Sequence, residues 1–340
     1  MAYAIEPLSE SNAHRWEEFI TRSPEGTPFH RLKWRDTIED AMKLKSRYFL
    51  ILKDGKVAGV CPFVEQSMNV FRGLNGIPRS DYNNIVLGES FDPDDVNEVL
   101  SLFSKRYSYL FFDTYDPALV ERIEYDNIQN EAGSNMLLDL NHNPPETIWK
   151  DILSKDDRYK VTRFEKGGFT VREVSDGDAI EDFYRYYVEN LNHINGYVLP
   201  RAYFQRIIDI FSPDEVRVVV LMNNGVFAGG NLSVLDPSRK TAYFMLLALN
   251  RNLPNKYSPT YYLSWEGINW AYENGYEQIS FGRERPDNPR VRGKQRFGAE
   301  PVPIHSRVVL LSKAASRLYR LKKAVQGGGQ ADEPSRGRVS

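Results

Sequence analysis

The chain has 340 residues, 41% apolar and 26% charged, which permits a large buried core, excludes wholesale disorder and suggests two domains. Its 44 Lys and Arg against 46 Asp and Glu leave a net charge of −2, so any polyanion must be met by a local concentration of cations. A lone Cys61 excludes an internal disulfide, no apolar run reaches the ~18 residues of a membrane span, and "MAYAIEPLSE" lacks the features of a signal peptide, so the chain is read as soluble and cytoplasmic.

Helical spacing over residues 11–22 and 31–43 precedes a predicted hairpin, "LKDGKVAGVCPFV", with Asp54-Gly55 at its turn. A Gly/Asn/Pro-rich stretch, "FRGLNGIPRSDYNN", leads to a helix near 92–106 and the strand "YLFFDT". The strand "NMLLDL", the turn "NHNPP" and the charged helical run "DILSKDDRYKVTRFEKGG" lie mid-chain. Helices over 177–192 and 200–211 then precede a second hairpin, "MNNGVFAGGNLSV", turning at Asn224-Gly225. The strand "TAYFMLLAL", a helix over 259–274, the strand "QISFG" and a basic helix, "SKAASRLYRLKKAV", complete the pattern.

Asx-Gly hairpins are common. Here, however, aligning Gly55 with Gly225 also aligns Ala58 with Ala228 and Gly59 with Gly229, and each hairpin follows two helices. The same motif in the same context, half a chain apart, predicts a duplicated domain. Hairpins interleaved with helices predict an α+β (mixed α/β) fold and argue against a doubly wound parallel sheet. The expected division is 1–145 and 146–325, with a disordered, Gly-rich tail over 326–340.

One segment stands out chemically. In "SFGRERPDNPRVRGKQRFGAE", between Phe281 and Gly298, Arg283, Arg285, Arg290, Arg292, Lys294 and Arg296 face only Glu284 and Asp287. It is either a solvated basic loop after an edge strand, or a site built for phosphate or for negative charge that develops during a reaction.

This segment also carries a resemblance. Phe281-Gly282-Arg283, followed by Lys294 through Pro301, is similar to the C-terminal motif of the FemAB-type and BioF2-like N-acyltransferases, with Phe297 in place of a Trp. "SPEGTPFHRLKWRD", "DDRYKVTRFEKGGFTVRE" and "HINGYVLPRAYF" extend the likeness over about residues 10–312. Three departures are Gly293 for a usual Phe, Glu284 for a common Ser, and "DYNN" for Asp-Tyr-Gly-Gly. The resemblance implies tandem GNAT-like domains in a pseudo-duplicate, of the peptidoglycan-bridge or exopolysaccharide-associated branch. It also implies transfer of an acyl or aminoacyl group to an amine on a peptide- or sugar-linked acceptor. Two alternatives stand beside it: an acyl-CoA-dependent acetyltransferase of cell-envelope or exopolysaccharide synthesis, and a silent phosphate- or RNA-binding protein.

Acyl transfer to an amine passes through a tetrahedral oxyanion, which a cation in a partly dry site stabilises. Lys294, in a Gly-flanked loop, is the candidate, and the resemblance points to the same residue. Arg283, Arg285 and Arg296 are candidates for gripping phosphate, whereas Arg290 and Arg292 are read as solvated. Before the helix at Ser258-Pro259, "RNLPNKYSP" has no glycine and Pro254 removes a donor, so the usual cradle for the CoA pyrophosphate is missing. The expected donor is therefore aminoacyl-tRNA, with acyl-CoA as the alternative, and Tyr257 is a substrate-binding candidate. Ser258 is expected as N-cap with Pro259 at the first helical position.

His193 is a general-base candidate in a loop after a helix, or else a surface hydrogen-bonding group. Asp81 and Tyr82 form a polar cluster on a long loop, or a turn. His30 is a candidate second wall, while Trp34 is read as core. Five histidines without an i,i+4 pair and one cysteine give no metal site, and no Walker loop, dinucleotide fingerprint or Gly-x-Ser-x-Gly elbow occurs. The basic C-terminal helix either touches an anionic membrane or packs, solvated, on the second domain.

Overall fold

Asp54 and Gly55 both take left-handed backbone, at φ 49° and 80°, and Asn224 and Gly225 repeat this at 49° and 78°. Two successive positive φ values make the type I′ turn, whose twist matches that of paired strands. Each hairpin also carries a bulge at the same place. Ile51 pairs with Gly59 and Leu52 with Val57; Leu221 pairs with Gly229 and Met222 with Phe227. The extra residues, Ala58 and Ala228, are fully buried. The duplication legible in the sequence is thus present down to the irregularity in its strands.

The computed structural model describes residues 2–326 except Asn69, Asn83, Ala132, Ser175, Asp176 and Asn255. Of the expected disordered tail, 327–340 lies outside the described residues; Gln326 ends the last helix, Lys313–Gln326. Two mixed sheets organise the rest. The first runs, in spatial order, Tyr3–Pro7, Ser46–Lys53, Lys56–Met68, Phe71–Gly76, Tyr109–Thr114, His305–Leu310 and Asn127–Asn130, with Val86–Leu87 paired to Lys56–Met68. The second runs Glu300–Pro303, Ser134–Asp139, Gln278–Glu284, Thr241–Leu249, Val226–Asp236, Val216–Asn223 and Thr170–Glu173.

The sheets exchange strands across the expected division at 145. Ser134–Asp139 belongs to the second sheet, and His305–Leu310 returns to the first. The reason is where apolar side chains find partners: Met136 and Leu138 pack with Ile279 and Phe281, whereas Val309 packs with Leu110 and Phe112. A third core joins the halves. Trp16, Ile20, Trp34 and Ile38 of the helices Ala13–Arg22 and Leu32–Met42 pack with Tyr203, Phe204 and Ile207 of Arg201–Ile210. Trp34 meets Tyr203 and Phe211 edge-on at 6.0 and 6.1 Å, as expected of a core residue.

The strand Phe71–Gly76 was hidden in a stretch read as loop. Gly73 explains how it forms: it lies opposite Tyr109, and a Cβ there would come within 2.1 Å of that ring. Gly73→Ala is expected to cost about 1–3 kcal/mol, because Tyr109 must leave its place. Urea unfolding measures this; an unchanged midpoint would show that the ring moves freely.

Candidate active site

The strand Gln278–Glu284 pairs regularly with Ser134–Asp139 up to Ser280, then skips to Arg283 opposite Asn135. Gly282, at φ 81°, makes that irregularity, in a conformation that side chains resist. The kink turns Ser280 and Arg283 toward the first half. The Ser280 hydroxyl donates to the Asp81 carboxylate in a short bond. Arg283 Nε donates to the Asp81 carbonyl at 3.3 Å, and its Nη1 to the Asp113 carboxylate at 3.0 Å. Burial raises the pKa of Asp81, opposed by the Ser280 hydrogen bond and by the charges of Lys294 and Arg283.

Lys294 lies on a short helix, Arg290–Gln295, and not in the expected loop. Its ammonium donates to the Phe281 carbonyl, reaches the Gly282 carbonyl at 3.5 Å and pairs with Glu284 Oε1 at 2.7 Å. The helix is what brings it back over the strand end. Burial lowers its pKa, partly offset by Glu284 and Asp81. Glu284, a departure from the family pattern, thus supplies the counter-ion. Gly293, another departure, has open space where a side chain would stand.

Most of the basic excess is met internally. Arg285 pairs with Glu131, and Arg296 meets the Tyr261 hydroxyl and lies 3.5 Å from Asp157. Arg290 and Arg292 are exposed and form no ion pair among the described residues, as the solvated reading expects. Arg292, with Glu284, Asn288 and Gln295, lines an open cleft of about 640 Å³ beside the helix.

Tyr82 is fully buried and does not line that cleft. Its ring centroid lies 4.4 Å from that of Tyr115, and its hydroxyl is 3.4 Å from the Asp113 carbonyl. Tyr115 Oη accepts from Asn135 Nδ2 at 2.5 Å, and burial raises the pKa of both phenols. His30, its ring centroid 6.0 Å from that of Tyr82, is also fully buried. Its Nδ1 accepts the Thr27 N–H at 3.1 Å and its Nε2 lies 3.2 Å from the Asn84 carbonyl. Desolvation, above all, lowers its pKa to about 3. It props the loop bearing Tyr82 and is not itself a wall of the cleft.

Among the expected site residues, Asp81, Tyr82, Arg283 and Lys294 come together, whereas Arg285 pairs instead with Glu131 and Asp287. Tyr257 packs with Phe164 and Phe169, at 6.0 and 4.9 Å, beside the helix Pro259–Glu273. Arg296 reaches the first turn of that helix through Tyr261. Ser258 holds the N-cap position but makes no side-chain cap bond, because its backbone (φ −126°, ψ 80°) departs from capping geometry. His193 is the exposed last residue of the helix Gly177–His193, and no described contact joins it to the Lys294 group. Asp113, Tyr115, Asn135 and Ser280 were missed, and Glu284 was seen only as a departure; "YLFFDT", an apolar strand with a carboxylate one residue before its end, was the signal for Asp113. Among the described residues no His, Cys, Asp or Glu cluster is placed to hold a metal.

Residues 153–301 match the family model of the acetyltransferase (GNAT) domain. No curated protein matches the chain by sequence. Solved structures with a similar fold include FemX, 13% identical at a TM-score of 0.69, over 94% of this chain and 99% of that one. The C-terminal domain of a putative lysylphosphatidylglycerol synthetase from Agrobacterium fabrum is 14% identical at 0.59, over 95% and 99%. A tandem GNAT protein from the clavulanic acid biosynthesis pathway is 11% identical at 0.57, over 90% and 97%. With its duplicated hairpins, mixed sheets and matching second half, the chain has a tandem GNAT fold, similar to those of FemX and of the tandem GNAT protein.

Proposed function

We propose that the chain is an N-acyltransferase moving an acyl or aminoacyl group to an amine on a peptide- or sugar-linked acceptor. The observation that carries this reading is the mostly buried Lys294 ammonium beside Asp81, at the kinked end of Gln278–Glu284. That strand runs parallel to Thr241–Leu249 over Thr241–Tyr243 opposite Gln278–Ser280, beyond which the pairing ends. The opening gives an acyl group a place to enter between strand ends. The acceptor nitrogen attacks the acyl carbon, a C–N bond forms, and the carbonyl oxygen takes up negative charge that Lys294 meets. The amine's proton passes to Asp81, whose burial favours the protonated form. Collapse breaks the ester or thioester bond, and the leaving oxygen or sulfur takes a proton back.

For the donor, aminoacyl-tRNA is our reading over acyl-CoA. The loop before Pro259 lacks glycine and is closed by the Tyr257 aromatic cluster, which leaves little backbone to wrap a pyrophosphate. Arg296, and Lys160 at 4.5 Å over the Tyr261 ring, put positive charge beside the same helix start. Calorimetric titration of the full chain with acetyl-CoA and with aminoacyl-tRNA tests the choice. Weak or absent acetyl-CoA binding is expected; low-micromolar affinity would favour the CoA-dependent enzyme. Donor binding without turnover of any amine would favour a silent binding protein.

A further inference from the structure

The C-terminal helix Lys313–Gln326 presents two different edges to solvent. Ala315 is buried and Tyr319 partly so, in a small cluster with Tyr109, Leu310 and Phe71. On the exposed arc, Lys313, Arg317 and Arg320 follow one another at helical spacing. Leu318 and Leu321, 40% and 65% exposed, lie on the adjoining edge. Arg320 is paired with Asp126 at 2.7 Å, which fixes the helix against the first sheet.

More cations gather where this helix begins. The Ser312 N–H donates to the Ser108 carbonyl at 3.2 Å, and the Ser108 N–H to the Arg72 carbonyl at 2.7 Å. Arg72, Arg47 and Arg106 surround a shallow concavity of about 450 Å³ that includes Phe49 and Tyr107. There Glu65 is shared by Lys45, Arg47 and Arg72, three cations to one carboxylate. Lys105 and Arg106 are exposed beside them and form no ion pair among the described residues. Val70, 87% exposed, immediately precedes Phe71 of the helix-supporting cluster.

We propose that this face docks the protein on an anionic membrane surface, with the cations against lipid phosphates and Leu318 and Leu321 in the acyl boundary. Charge alone would suit RNA equally. The exposed aliphatic side chains decide between the two: they offer nothing to bases, which want aromatic or hydrogen-bonding partners. A bilayer interface takes basic and aliphatic groups together, from a helix lying in its plane. No helix among the described residues is long and apolar enough to cross a membrane, which agrees with a helix that lies on one.

Co-sedimentation of the full chain with vesicles tests this independently of any activity. Vesicles of phosphatidylcholine with one-third phosphatidylglycerol should bind it, and phosphatidylcholine alone should not. Lys313→Glu with Arg317→Glu should weaken anionic-vesicle binding about 10-fold or more. Leu318→Ser with Leu321→Ser should weaken it several-fold; both pairs are exposed, so melting temperatures should not move. The proposal is overturned by absent binding, by equal binding to neutral vesicles, or by full binding in either double variant. It is also overturned if the face binds tRNA while vesicles are ignored.

Discussion

Lys294→Ala is expected to lower kcat about 10²–10³-fold, the loss that follows removal of one oxyanion donor worth ~2.7–4 kcal/mol. The structure adds a second consequence. Glu284, its side chain only 9% exposed, would lose its partner at 2.7 Å. Breaking a buried pair on one side costs roughly 3–5 kcal/mol, so the single variant should also melt at a lower temperature. Removing Glu284 as well, as Lys294→Ala with Glu284→Ala, should recover much of that stability but none of the rate. Lys294→Arg should rescue incompletely, since a planar fork cannot place its donors where a compact ammonium does. Arg290→Ala and Arg292→Ala are controls that should change little. Steady-state kinetics beside melting curves separate these effects. Full kcat in a folded Lys294→Ala protein would make the segment a binding patch and not the seat of chemistry.

Acid is expected to loosen the molecule through His30. Its pKa falls from 6.5 to about 3 on folding, chiefly by desolvation, with Arg239 adding a smaller push in the same direction. Below pH 6.5 the unfolded chain binds a proton that the folded one refuses. Stability is therefore full above that pH and declines as pH falls toward 3. At ~1.36 kcal/mol per unit, the loss is about 2–3 kcal/mol by pH 4.5 and about 4–5 kcal/mol near pH 3. Glu65 and Glu215, held down by neighbouring cations, and Asp157, held down by the Ser154 hydroxyl and then Lys160, add losses only below about pH 4.5. Asp81 acts in the opposite sense, because a raised carboxyl gains from acid. Denaturant titrations from pH 7 to 4.5 should show the slope in the wild type and a flatter line in His30→Gln. Equal slopes would remove His30 from the account. Since His30 props Asn84 and, through Thr27, Tyr82, the site should loosen with it.

What the sequence disclosed was local. Asp54-Gly55 and Asn224-Gly225 dictate their turns, and apolar spacing marks the helices, because each signal lies within a few residues. Strand partners were illegible for the opposite reason. Phe71–Gly76 has glycines at both Gly73 and Gly76 and reads as loop until Tyr109 is seen across from it. At the site, Phe281-Gly282-Arg283 and Lys294 were legible through a motif. Their partners were not: Ser280 meets Asp81 across 199 residues, and Arg283 meets Asp113 across 170. Charge counting also misjudged the segment, since it cannot say that Lys294 has a counter-ion in Glu284 only ten residues before it.

The exchange of strands governs how this protein can be made. His305–Leu310 sits between Tyr109–Thr114 and Asn127–Asn130. On the ribosome, those two flanking strands emerge long before the one that joins them. Until the last part of the chain arrives, Tyr109–Thr114 keeps a bare edge, with Tyr109 and Phe111 awaiting Val308 and Tyr319. An unpaired edge of this kind invites association between nascent chains. Neither half is then a self-sufficient unit of inheritance: a gene divided near codon 145 would yield two polypeptides, each lacking a strand that the other carries.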